Sequence, residues 1–155
     1  MTNPRAIDTP ASETERATID ETVMGYRTGS EANDLEAMLA TLAPGAELVS
    51  PISGRMVIRG HADLGLLLSA VYRSMSGLRW TSEIGEGLVR VLIGEARVGP
   101  LRITDAMVLD IAPDGKIQRI RPHLRPWLAI TLFALVVGPK VARHPGVLWR
   151  ALRSR

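Results

Sequence analysis

The sequence predicts an α+β fold in which helices gather on one side of an antiparallel sheet. Three observations carry that reading. Apolar residues recur at helical spacing in three segments between residues 13 and 75. From residue 78 to 124 the pattern switches to long alternating stretches, separated by Gly-Pro and Asp-Gly turns. An apolar and then basic piece closes the chain. A sheet of this kind can curl around its helices and leave an apolar hollow between the layers, where a site is expected.

Residues 1–11 are polar, contain Pro4 and Pro10 and lack the apolar core of a secretory leader, so a flexible N-terminus is expected. Ser12 and Glu15 match a capping box, which starts a helix near Glu13. Ile19, Val23 and Tyr26 fall at i, i+4 and i+7 of that helix, and Gly29 is its expected stop. Tyr26 therefore points to the core, where its hydroxyl needs a partner. Asn33 and Glu36 offer a second capping pair; Leu35, Met38, Leu39 and Leu42 form its stripe, ended by Pro44-Gly45. Ala46–Ser50 reads as a short strand stopped by Pro51, and Arg55–Arg59 as a second strand after the Ser53-Gly54 turn. Leu64, Leu67, Leu68, Val71, Tyr72 and Met75 give the third helix. Leu78–Ile84 and Leu88–Val98 are strands, the second with Gly94 as a bulge candidate. Leu101–Ile111 follows Gly99-Pro100, and Ala112-Pro113-Asp114-Gly115 turns the chain into a last strand, Lys116–Leu124.

The strand Leu101–Ile111 singles out one residue. Its successive side chains point to opposite faces, so Leu101, Ile103, Asp105, Met107, Leu109 and Ile111 share one face. Every member is apolar except Asp105. A carboxyl in such a stripe is costly unless protonated, paired or facing a cavity. Two readings follow: a structural acid, bonded to a neighbour or turned outward by a local bulge, or the polar end of an apolar pocket.

At 46% apolar and 23% charged residues, the chain suits one domain with a real core. It has no cysteine, which excludes disulfides, thiolate metal sites and cysteine nucleophiles and fits a cytoplasmic setting. His61, His123 and His144 share no ligand-like spacing, so no metal and no cofactor is expected. Gly85 and Gly87 do not extend to a dinucleotide fingerprint, because the third glycine position is Arg90.

The net charge of +3 hides an asymmetry. Residues 1–115 hold ten arginines against sixteen acids, whereas residues 116–155 hold nine lysines or arginines and no acid. A basic half can meet nucleic acid, anionic lipid or an acidic partner. Nucleic acid is not expected, because aromatic interleaving is missing. Trp127–Val137 is apolar around its circumference, bracketed by Pro126 and Gly138-Pro139, and too short to span a bilayer. Pro139–Arg155 then sets Val147, Leu148, Ala151 and Leu152 against Arg150, Arg153 and Arg155. This extension, residues 126–155, can cover the open end of the fold, form a dimer contact or lie peripherally on an anionic membrane.

The order of elements, with N-D-L-E at 33–36, S-P at 50–51, R-G-H at 59–61 and D-G-K-I at 114–117, resembles the nuclear transport factor 2-like superfamily. That superfamily includes SnoaL-like cyclases, ketosteroid isomerases and limonene epoxide hydrolases. The resemblance covers residues 12–125. It implies a cone-shaped, cystatin-like domain whose curved antiparallel sheet wraps its N-terminal helices and forms a homodimer through its outer face, followed by a C-terminal helical extension. Aligned with ketosteroid isomerase on N-D-L-E, Tyr26 falls at the active-site tyrosine and Ser50 at the general base. Asp105 falls at the second, protonated oxyanion donor if the following turn is two residues longer. On the last strand Ile120, Pro122 and Leu124 would face the pocket. Ser50 departs from the pattern, since an unactivated hydroxyl cannot shuttle a proton near neutrality. The epoxide hydrolase pattern is also broken, by Pro122 after Arg121.

Three functions follow from these expectations. The first is a SnoaL-like domain binding a small hydrophobic molecule, sterol-, terpene- or polyketide-like. Tyr26 and Asp105 would form the polar end of its pocket, with Ser50, Trp80, Met107, Ile120 and Leu124 as further ligand contacts. The second is an isomerase, cyclase or epoxide hydrolase on the same pocket, with Asp105 as acid/base and Tyr26 as electrophile. The third is an assembly or membrane-surface protein acting through the C-terminal helix.

Overall fold

The computed structural model describes residues 12–153; the stretch 1–11, expected to be flexible, lies outside the described residues. Helix α1 (Glu13–Ala32) opens on the expected capping box: Ser12 Oγ accepts the Glu15 N–H at 3.2 Å and the Glu15 carboxylate accepts the Ser12 N–H at 2.7 Å. The helix does not stop at Gly29. It runs to Asn33, whose φ of 54° makes the left-handed cap. Gly29 serves packing instead, because a Cβ there would lie 3.2 Å from both Ala37 Cβ and Met38 N. Its bare backbone lets α2 (Leu35–Ala40) cross α1 closely. With Asn33 committed to the end of α1, the cap of α2 passes to Asp34, whose Oδ1 accepts the Ala37 N–H at 3.0 Å.

Leu42 is not helical. Strand β1 (Leu42–Val49) starts four residues before the expected Ala46 and passes through Pro44-Gly45. It can do so because its pairing slips there: Leu42 pairs with Ile117 but Glu47 with Arg119, so the proline and glycine sit in an irregularity that needs no ladder bond. The remaining elements are β2 (Val57–Arg59), α3 (His61–Tyr72), β3 (Ser76–Ile84), β4 (Val89–Val98), β5 (Leu101–Ile111), β6 (Ile117–Arg121) and β7 (Leu124–Arg125). The expected last strand is thus split at Pro122, which has no N–H to give.

The strands form one curved, unclosed sheet in the order β2-β1-β6-β5-β4-β3, with β7 pairing β5. Neighbours run antiparallel except β1 and β6, which are parallel. The concave face packs on α1 and α3 through Ile19, Val23, Leu64 and Leu68 on the helices and Leu92, Leu109 and Ile111 on the strands. Their burial is the main stabilising contribution to the domain.

The C-terminal piece forms α4 (Trp127–Ala142) and α5 (Pro145–Arg153). Helix α4 continues past the expected break at Gly138-Pro139. Pro139 costs one bond, to the Leu135 carbonyl, and both residues are solvent-exposed, where water can replace it. Ala129, Phe133 and Val137 pack on Ala96, Val98 and Ile103 as a second core cluster. Helix α5 joins the main cluster through Val147 and Ala151. It is pinned by Arg150, whose Nε donates to Asp63 Oδ2 at 2.8 Å; that pairing holds the Asp63 carboxyl below the usual carboxylate range. No described helix is long and apolar enough to cross a membrane.

Candidate functional site

Between the layers lies a partly open cavity of about 170 Å³. Helix α3 lines one side with Leu68 and Val71, strands β3 to β5 another with Leu78 and Ile103, and α4 a third with Phe133 and Val137. Nearly all of this lining is hydrocarbon. Three of the polar exceptions, Tyr26, Tyr72 and Asp105, come from α1, α3 and β5.

The stripe of α1 delivers Tyr26 and the last turn of α3 delivers Tyr72, and their hydroxyl oxygens lie 2.9 Å apart. Burial raises both phenols above their ordinary pKa, so both stay neutral and one donates to the other. Asp105 lines the same cavity, and its charge raises both tyrosines further. Burial lifts the Asp105 carboxyl to about 6, while a hydrogen bond from the His123 backbone N–H, 2.9 Å from Oδ1, limits the rise.

That bond is a product of the split last strand. In the β5 ladder the His123 N–H would be given to the carbonyl of Ala106. Here it turns to Asp105, and the His123 ring takes over, with Nδ1 3.0 Å from the Ala106 oxygen. A carbonyl only accepts, so Nδ1 carries the proton. The Ala106 N–H still reaches the His123 carbonyl at 3.2 Å.

Trp80 forms a further wall. Its Nε1 donates to Ser30 Oγ at 2.8 Å and its backbone N–H to the Glu31 carboxylate at 2.7 Å. The indole lies across Gly94 on β4, where a Cβ would stand 2.5 Å from Trp80 Cε3. Gly94 is therefore not the bulge residue. The extra residue is Thr81 on β3, between the pairs Trp80–Gly94 and Ser82–Ile93.

Tyr26, Ser50, Trp80, Asp105, Met107 and Leu124 all line the cavity. Ile120 does not. It is fully buried in the main core, paired with Leu48 on one side and Leu109 on the other, and only Pro122 and Leu124 beyond it reach the cavity. The strand alternation places Ile120 on the correct face but cannot tell how far along the strand the packed core ends. Tyr72 was expected only as a helical apolar position. The available signal was that the chain's two tyrosines both fall on buried helix stripes, each with a hydroxyl to satisfy.

Ser50 is buried, and its Oγ accepts the Ile52 N–H at 3.3 Å, a turn-capping role. Glu83 pairs with Arg27 at 3.3 Å and Arg90 at 2.9 Å. The Glu95 side chain is 42% exposed and lies 3.5 Å from Arg102, so only its neighbourhood on β4, not its charge, belongs to the cavity. Of the two acids that line the cavity, Glu95 and Asp105, it is Asp105 whose carboxyl is shifted upward by burial. No group of three His, Cys, Asp or Glu among those residues could hold a metal ion.

The chain carries the cystatin-like, nuclear transport factor 2-like fold. An uncharacterised protein with a cystatin-like fold from Silicibacter pomeroyi superposes with a TM-score of 0.77 at 20% identity, over 84% of this chain and 93% of that one. A steroid delta-isomerase from Pseudomonas aeruginosa gives a TM-score of 0.75 at 20% identity, over 84% and 96%. A SnoaL-like protein of unknown function from Burkholderia thailandensis gives 0.60 at 19%, over 76% and 100%. No family model matches the chain, and no curated protein matches it in sequence.

Proposed function

We propose that the chain binds a small, largely apolar molecule through one carbonyl or hydroxyl oxygen, held at the Tyr26–Tyr72–Asp105 end of the cavity. The observation that carries this reading is the placement of two neutral phenols and a carboxyl of raised pKa in an otherwise hydrocarbon hollow. Such groups fix orientation, while the walls supply affinity. The cavity is close to the roughly 150 Å³ that accommodates benzene in an engineered core. That volume suits a molecule of one or two fused rings.

A matched pair of probes tests the oxygen requirement. In calorimetry, acetonaphthone binds about tenfold more tightly than ethylnaphthalene, the difference being one hydrogen-bonded carbonyl. Tyr72→Phe narrows that ratio, because the Tyr26 hydroxyl loses its partner. Equal affinities for the two probes contradict the proposal.

An isomerase or cyclase acting through the same pocket is the second reading, and one observation favours it. A carboxyl titrating at about 6 can both give and take a proton near neutrality. On this reading Asp105→Asn abolishes turnover of an unsaturated ketone while leaving its binding measurable.

A further inference from the structure

We infer that the outward faces of α4 and α5 form a docking surface for an anionic lipid membrane. Helix α4 turns Ala129, Phe133 and Val137 inward, three residues spaced by four. Its opposite side therefore presents Trp127, Leu128 and Leu135, which are 75%, 52% and 68% exposed. Thr131 is the polar residue on that side, and its hydroxyl is turned back onto the Trp127 carbonyl at 3.0 Å. The exposed Gly138-Pro139 step and Ala142 complete the face without adding a charge. Helix α5 follows the same plan, with Val147 and Ala151 inward and Trp149 and Leu152, 56% and 68% exposed, outward. A surface helix ordinarily places its polar residues there. Apolar surface of this kind marks an interaction site.

Charge selects the occupant. No Asp or Glu follows Asp114, while Arg143 and Arg153 are exposed along these two helices and Lys140, whose Nζ donates to Ser74 Oγ at 2.7 Å, is exposed at the edge beside the end of α3. The Arg153 guanidinium lies 3.6 Å over the Trp149 ring, so a cation and an aromatic face share one spot. A second copy docked by a two-fold contact would set these cations against one another. Anionic headgroups neutralise them instead, each cation strengthening attachment about fivefold. Tryptophan favours the headgroup level, and helices too short to cross the bilayer lie in its plane.

The test uses the full chain with phosphatidylcholine vesicles, with and without phosphatidylserine. Co-sedimentation is expected with the serine-lipid vesicles and is weakened by raised salt. Emission from Trp127 and Trp149 shifts to the blue, and lipids brominated near the headgroup quench it. The double variant Leu128→Glu with Leu135→Glu binds about a hundredfold more weakly. Both side chains are exposed, so its thermal melt is expected to match the parent's; should it fail to fold, bromolipid quenching of the unaltered chain decides alone. Absence of sedimentation with either vesicle, or unaltered binding by a folded double variant, overturns the inference. So does a solution dimer that the double variant splits and that ignores vesicles, since the face then serves a second copy.

Discussion

Asp105→Asn is expected to stabilise the protein near neutrality and to flatten its stability between mildly acid and neutral pH. The folded-state pKa of Asp105 is raised from 3.8 to about 6. Across that interval the folded protein keeps a proton that the unfolded chain has released. Stability therefore falls as pH climbs through the interval and levels off above it. Taking about 1.4 kcal/mol per pKa unit and discounting for partial solvent access, ionised Asp105 costs about 2 kcal/mol near neutrality. Asparagine keeps an oxygen for the His123 N–H and carries no charge to desolvate. Glu47 and Asp63, held below the usual carboxylate range by their arginine partners, act in the opposite sense and weaken the fold at acid pH. The difference between parent and variant in urea titrations, rather than either curve alone, isolates Asp105. A constant difference across the interval contradicts the assignment.

The second large effect is expected at Gly94. Valine there places a Cβ 2.5 Å from Trp80 Cε3 and 2.9 Å from the Arg79 carbonyl oxygen, and one of these contacts is backbone. The indole must leave its wall of the cavity, which breaks its 2.8 Å bond to Ser30. Overpacking and the lost bond together cost about 3 kcal/mol or more. Denaturant melts measure the loss, and the near-ultraviolet dichroism of Trp80 reports its displacement. Acetonaphthone binding is lost even where the variant folds. A Gly94→Val protein with unchanged stability and probe affinity shows that the Trp80 wall is not needed.

The features legible in the sequence were those fixed by local rules. The Ser12–Glu15 capping box, the stripe through Tyr26 and the alternation of Leu101–Ile111 each depend on residues a few positions apart. They suffice for the helix-then-sheet order and for Asp105 on the inner face. What failed was punctuation overridden by tertiary pairing. Gly29 signals a stop, but α2 needs its bare backbone for close contact. Pro44-Gly45 signals a break, but β1 runs through it where its pairing with β6 slips and no ladder bond is needed. Gly138-Pro139 signals another break, and α4 continues because the lost bond lies on the exposed side. At the site, the Tyr26–Tyr72 pairing and the redirected His123 N–H are not legible in the sequence, because each joins residues far apart: Tyr26 is 46 positions from Tyr72, and Asp105 is 18 from His123. Alternation puts Ile120 on the cavity-facing side of its strand but does not fix the depth at which packing gives way to space.

Whether Asp105 occupies a water-poor hollow beside two phenols is tested most directly by carbon NMR titration of its carboxyl in the unliganded protein. A midpoint at about 6, displaced further upward when acetonaphthone occupies the cavity, is the result expected. A midpoint near 3.9, the value of a carboxyl in open water, unmoved by the probe, contradicts it.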